Sequence, residues 1–121
     1  MSDIRLQLPW PPSVNSAYRV FRSSVYKTQQ AKDYTKEVCA LVKAKKVKGL
    51  GKARVRVAIQ AYPPDRRKRD LDNIQKILLD SLEQAGLFDD DSQIDRLEIM
   101  RGPAVVDGLV IVLLTVTGEI K

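Results

Sequence analysis

Asp70 and Asp72 stand two residues apart, Lys76 follows one helical turn later, and Arg66, Arg67, Lys68 and Arg69 come directly before them in the stretch RRKRDLDNIQK. Carboxylates by themselves would repel a phosphodiester, and cations by themselves would bind it without a group to hold a metal. Placed together they can hold both a phosphate and a hard divalent cation, since such cations take oxygen ligands and Lys or Arg takes phosphate. A further acidic group, Asp89, Asp90 and Asp91, lies in LFDDDSQIDR. Asp70 and Asp72 with Asp91 would suit Mg²⁺, water and substrate completing its shell. Each group also has an ordinary structural reading. Asp70 stands where a helix N-cap would and Asp72 in the first turn, both places that favour acids, and Asp89–Asp91 can be a solvated loop. A calcium loop of the EF-hand kind is excluded, because the required sixth-position glycine, counted from Asp89, is Ile94.

Other chemistries are removed by what the chain lacks. It contains no histidine, so Ser-His-Asp triads, histidine-metal nuclease motifs and Cys2His2 zinc sites are out of reach. Its single cysteine, Cys39, allows no internal disulfide and fits a reducing compartment; its apolar neighbours mark it as a small core residue. The start Met-Ser-Asp has neither the basic segment nor the apolar run of a signal peptide, and the stretch LVIVLLTV is too short to cross a bilayer. A cytoplasmic location with no membrane contact is expected. The net charge is +6, but residues 1–56 hold 13 Lys or Arg against 3 Asp or Glu, and the remainder 8 against 12. A basic half beside an acidic half suits a polyanion held next to a site that needs carboxylates.

The elements that must position these groups follow from periodicity. At 121 residues one domain, 1–121, is expected. Ile4, Leu6 and Leu8 alternate as a strand that Pro9 closes, and Trp10 among prolines is either a packing anchor or a base-stacking platform. Tyr18, Phe21 and Tyr26 interleave with Arg19, Arg22 and Lys27, either as a DNA-gripping hairpin turned at Ser23-Ser24 or as one whose aromatics pack inward. A helix is expected from Gln29 to Lys48, with Tyr34, Val38, Leu41 and Val42 on its apolar face, and a strand from Ala53 to Tyr62. A second helix runs from Asp70 to Gln84, apolar at Leu71, Ile74, Leu78, Leu82 and Ala85 and stopped by Gly86. Its apolar stripe faces away from Asp72 and Lys76, leaving that edge for a ligand. Strands over SQIDRLEIM and GLVIVLLTVT complete the order β-α-β-α-β-β with a hairpin inserted after the first strand. The fold class is α+β, a mixed β-sheet with helices packed on it. Whether the Asp91 loop reaches the start of the second helix is left open, since it must return along that helix's length.

The segments LPWPPSVN, PPDRRKRDLDNIQKILLDSL and AGLFDDDSQI, in that order, resemble the RusA family of Holliday-junction resolvases. The pattern Asp-x-x-x-Arg-Asp-x-Asp-Asn from Asp65 to Asn73, with Asp-Asp-x-Gln downstream, carries the resemblance, which runs from Leu8 to about Ile94. It implies a homodimeric endodeoxyribonuclease, often phage- or prophage-borne and acting in DNA recombination and repair, that cleaves four-way DNA junctions with Mg²⁺, Mn²⁺ being the alternative. It implies essential acids at Asp70, Asp72 and Asp91, an essential lysine at Lys76, support from Asp90, and DNA contacts from Arg66, Arg67, Lys68 and Arg69. The hairpin and the segment 43–56 depart from the family pattern. Two other functions remain compatible with the residues: a non-catalytic branched-DNA-binding protein in which the acids are caps and ion-pair partners, and a metal-dependent nuclease for flaps and forks.

Overall fold

A computed structural model describes residues 3–118; Met1 and Ser2, on which the signal-peptide reading partly rests, lie outside it. Strand β1 (Asp3–Pro9) is followed by a one-turn helix α1 (Val14–Ala17), a hairpin of β2 (Tyr18–Phe21) and β3 (Ser24–Lys27), helix α2 (Gln29–Ala44), strand β4 (Arg54–Tyr62), helix α3 (Gln75–Gln84), and strands β5 (Ile94–Arg101) and β6 (Leu109–Gly118). The main sheet has the order β1-β6-β4-β5. β6 runs antiparallel to both β1 and β4, while β4 and β5 are parallel and joined through α3. The expected α+β class with a mixed sheet is therefore observed, hairpin included.

Alternation decides the core. β1 buries Ile4, Leu6 and Leu8, β4 buries Val55, Val57, Ile59 and Ala61, and β6 buries Val110, Val112 and Leu114. Those faces meet Tyr34, Val38 and Val42 of α2 and Ile77, Leu78 and Leu82 of α3. Each Val, Leu or Ile among them, fully buried, contributes about 1.5–3 kcal/mol by its transfer from water. The two helices are also linked by a hydrogen bond between the hydroxyls of Thr35 and Ser81, at 2.9 Å.

Five expectations are corrected. α2 ends at Ala44, not Lys48. Lys46 takes a left-handed φ of 57°, the Lys46 N–H donates to the Lys43 carbonyl and the Val47 N–H to the Val42 carbonyl. This is a Schellman ending with lysine in glycine's usual place, and it turns half-buried Val47 onto the core. Leu41 is 41% exposed, because the inward face runs through Ala31, Tyr34, Val38 and Val42. The hairpin turns one residue earlier than expected, at Arg22-Ser23: Phe21 pairs with Ser24, and both turn residues have positive φ, 49° and 68°, as a two-residue type I′ loop demands. The helix expected from Asp70 begins instead as a 3₁₀ turn, Leu71–Ile74, before α3 proper. Cys39 is only half-buried. Trp10 packs against the core, in keeping with the anchor reading.

Candidate active site

Asp72, Lys76, Asp80 and Glu83 fall at i, i+4, i+8 and i+11, so a helical path strings them along one edge. The buried residues Ile74, Ile77, Leu78, Ser81 and Leu82 point to the core, which turns this edge outward. The loop after α3 closes over it. A cleft of about 340 Å³ is lined by Asp72, Gln75, Lys76, Leu79, Asp80 and Asp91. Asp91 thus faces the side of α3 and shares a space with Asp72 and Lys76, which the sequence left open. Lys76 Nζ stands 3.6 Å from Asp80 Oδ2.

What brings Asp91 there is Gln93, a residue to which the sequence reading gave no role. Its side chain is buried and all its hydrogen-bonding capacity is engaged. Oε1 accepts the backbone N–H groups of Asp89 and Asp90, both at 2.8 Å. Nε2 donates to the carbonyls of Gly51 and Ala53, at 2.7 and 2.8 Å. The acidic loop is thereby fastened to the α2–β4 connection. That connection also approaches the end of α3 so closely that a Cβ on Gly49 would lie 2.1 Å from the Gly86 carbonyl oxygen, so glycine is required there. The only sequence sign of Gln93 was its place in the Asp-Asp-x-Gln pattern.

The carboxylates divide into neighbouring groups. Oxygens of Glu83, Asp90 and Asp91 lie within 4.8 Å of one another, close enough to share one cation. Asp90 also caps the 3₁₀ turn Asp91–Gln93, its Oδ2 accepting the Ser92 N–H at 3.0 Å, and hydrogen bonding to Ser92 holds its carboxyl below the ordinary value. Asp70 is placed apart from Asp91: it lines a separate cleft of about 570 Å³ with Trp10, Asp33, Glu37, Arg67, Arg69 and Asn73. Its side chain makes no cap hydrogen bond. Asp80 and Glu83 were not singled out from sequence, although their helical spacing from Asp72 and Lys76 was there to be read.

The basic loop is partly folded onto itself. Asp65 Oδ1 accepts from Arg69 Nη1 at 2.6 Å and from the Arg67 N–H at 2.9 Å, and Oδ2 pairs with Arg67 Nη2 at 3.1 Å. The Arg69 hydrogen bond above all holds the Asp65 carboxyl far below the usual carboxylate range. Arg101 Nη2 donates to the Arg69 carbonyl at 2.5 Å, tying the loop to β5. Arg66 and Lys68 are exposed. On the hairpin, Arg19 and Arg22 are exposed and Lys27 half-buried, and Val20, Phe21, Val25 and Tyr26 are 50–72% exposed. The aromatics past Tyr18 therefore do not pack inward, and both hairpin faces are open.

Carboxylates and a lysine in one cleft, flanked by an arginine-rich loop on a small α+β sheet, are the working parts of a nuclease. The chain belongs to the endodeoxyribonuclease RusA family, which it matches over residues 9–113. It is 40% identical over 108 residues to the crossover junction endodeoxyribonuclease rusA of Enterobacteria phage HK97, covering 89% of this chain and 90% of that protein. It is 34% identical over 120 residues to the proteins of the same name from Enterobacteria phage 82 and Escherichia coli strain K12, covering 98% of this chain and 99% of each. No helix among the described residues is long and apolar enough to cross a membrane.

Proposed function

We propose that the protein is a cytoplasmic, Mg²⁺-dependent endodeoxyribonuclease that resolves four-way DNA junctions by paired phosphodiester hydrolysis, acting as a homodimer of single 1–121 domains. The observation that carries the reading is the meeting of Asp72, Lys76 and Asp91 in one cleft. It is supported by membership of a family whose relatives are named crossover junction endodeoxyribonucleases. A dimer suits the task, because two strands must be nicked and a two-fold axis supplies two equivalent sites.

The donor set fits a hard cation, being made of carboxylate oxygens without nitrogen or sulfur. Asp72 and Asp91 would hold the ion in the cleft they share, Asp90 or Glu83 would support it, and Asp70, which lines the neighbouring cleft and makes no cap hydrogen bond, would complete the set by turning toward Asp72. Mg²⁺, or Mn²⁺ in its place, supplies an acidified water and charge neutralisation at the phosphate. Arg66 and Lys68 draw the backbone in by charge, and Arg67 and Arg69, shaped by Asp65, present a fixed guanidinium pair to it. Lys76 meets the phosphodiester as a point charge and stabilises the negative charge that builds on its oxygens. Arg19, Arg22 and Lys27 extend the phosphate contact along the hairpin.

The test is cleavage of a labelled synthetic four-way junction by wild type and by Asp70→Asn, with Mg²⁺ and with chelator, beside a flap and a linear duplex. Paired symmetric nicks in the junction, by wild type with Mg²⁺ alone, are expected. Tight binding without nicks under any divalent cation would leave a junction-binding protein, and faster cutting of flaps would move the substrate.

A further inference from the structure

Tyr18 is where the hairpin meets α3. It opens β2 and is half-buried against the core. Its hydroxyl donates a hydrogen bond to Asp80 Oδ2, and its ring lies beneath the Lys76 ammonium, with Nζ 4.6 Å from the ring centroid. Lys76 Nζ is 3.6 Å from the same Oδ2. The three side chains close a triangle, and two of them, Lys76 and Asp80, line the cleft that holds Asp72 and Asp91.

Each side of that triangle has a consequence. Lys76 and Asp80 are one turn apart on α3, and such pairs attract. A fully formed charge-assisted contact would bring the atoms to about 2.8 Å, and a lysine neutralised in that way has less to offer a phosphate. The Tyr18 hydroxyl occupies the oxygen that Lys76 would otherwise claim. The ring meanwhile attracts the ammonium without cancelling its charge, so the lysine is held in place with its charge intact. Burial, and then the Asp80 hydrogen bond, push the Tyr18 phenol above its ordinary value, which keeps the hydroxyl a donor.

We infer that Tyr18 is a positioning residue for the reaction: by competing for the Asp80 carboxylate it keeps the Lys76–Asp80 ion pair long, at 3.6 Å, and it holds the ammonium over its ring at the cleft. The inference rests on the proposed role of Lys76 as the cation that meets the phosphodiester. Its test is single-turnover junction cleavage at saturating protein with Mg²⁺, by wild type, Tyr18→Phe, Tyr18→Leu, Asp80→Ala and the Tyr18→Phe/Asp80→Ala pair. Thermal melting confirms that each variant is folded.

Tyr18→Phe keeps the ring and loses the hydroxyl; it should slow the saturating rate roughly fivefold, with junction affinity within about twofold of wild type. Tyr18→Leu loses the ring as well and should fall roughly tenfold or more. In the Asp80→Ala background, where Asp80 no longer competes for Lys76, Tyr18→Phe should cost nothing further, whereas a purely structural role would give the same loss in both backgrounds. Wild-type rates for Tyr18→Phe, a loss that persists without Asp80, or a loss confined to binding would each overturn the positioning role while leaving the nuclease reading intact. A wild-type protein that binds junctions and never nicks them would overturn both.

Discussion

Replacing Gln93 by leucine tests whether one buried amide holds the acidic loop in register. Leucine nearly matches glutamine in volume, so the change removes hydrogen bonds without opening a large cavity. Four bonds go: those from the N–H groups of Asp89 and Asp90, and those to the carbonyls of Gly51 and Ala53. The losses are unequal. The Asp89 N–H also reaches the Gly51 carbonyl at 3.3 Å, so those two groups keep each other. The Asp90 N–H and the Ala53 carbonyl lose the amide with no such substitute. A buried group left without its partner costs about 1–3 kcal/mol, and water can reach the exposed Asp90 side of the loop, which pulls the total toward about 3 kcal/mol. In a domain of this size that lowers Tm by roughly 10 °C. Gln93→Glu should do at least as badly, because a carboxylate would then face two carbonyl oxygens and add charge beside Asp89–Asp91. Thermal denaturation followed by circular dichroism reads the effect. Junction cleavage should fall with it, since the loop that presents Asp91 is no longer fastened. A Gln93→Leu protein that melts within about 2 °C of wild type would refute the reasoning, and the amide network would have to be counted as replaceable by water.

Other outcomes follow from the same geometry. Asp72→Asn and Asp91→Asn should each lower cleavage by two orders of magnitude or more, roughly the loss of a metal ligand, while gel-shift affinity for the junction is kept; equal loss of binding would mean that these acids shape the fold instead. Arg66→Ala or Lys68→Ala should each reduce the salt dependence of junction binding by about one counterion, and an unchanged slope would remove those side chains from the DNA contact. The carboxyls of Asp65, Asp90, Asp95 and Glu98 are held low by hydrogen bonds from Arg69, Ser92, Arg54 and Arg56 respectively. A depressed folded-state value favours the ionised form, so their contribution is present above the unfolded pKa of about 4 and is lost as pH falls through the folded values. Tm should therefore hold from neutral pH to about pH 5 and decline below pH 4, less steeply in Asp65→Asn; a Tm that rises on acidification would reverse that sign.

Much of the fold was legible because alternation in Ile4–Leu8, Val55–Ile59 and Val110–Leu114, and the helical recurrence of Tyr34, Val38 and Val42, leave one way to face a common core. The ends were less so. Gly86 was read correctly as the stop of α3, and its Schellman bonds, from the Gly86 N–H to the Glu83 carbonyl and the Leu87 N–H to the Leu82 carbonyl, are present. The same motif at the end of α2 is built on Lys46, which carries no local sign of a left-handed residue; the pull of Val47 toward the core decides it. The site divides in the same way. Asp72 and Lys76 on one edge follow from helical spacing alone. That Asp91 joins them depends on where a loop lands, and Gln93 sets this by reaching carbonyls some 40 residues earlier in the chain. Tyr18 was read as part of a basic arm, and its link to Asp80 spans 62 residues, beyond what spacing can reveal.

The choice between acids that cap and acids that act is sharpened by caps elsewhere in the chain. Thr28 caps α2, accepting the Ala31 N–H at 3.2 Å, and Asp90 caps its 3₁₀ turn through Ser92. Asp70 stands at the equivalent position before Leu71–Ile74, with extended backbone, φ −88° and ψ 136°, yet its carboxylate makes no such bond; its carbonyl alone accepts, from the Asn73 N–H at 3.2 Å. A working cap lost to alanine costs about 1 kcal/mol, so Thr28→Ala should lower Tm by several degrees. Asp70→Ala should change stability by less than about 0.5 kcal/mol, because the bond it would break is not there. If Asp70 instead matters to the phosphodiester, the same variant loses cleavage at an unchanged Tm. A drop in Tm matching that of Thr28→Ala would return Asp70 to the structural role that its position in the sequence first offered.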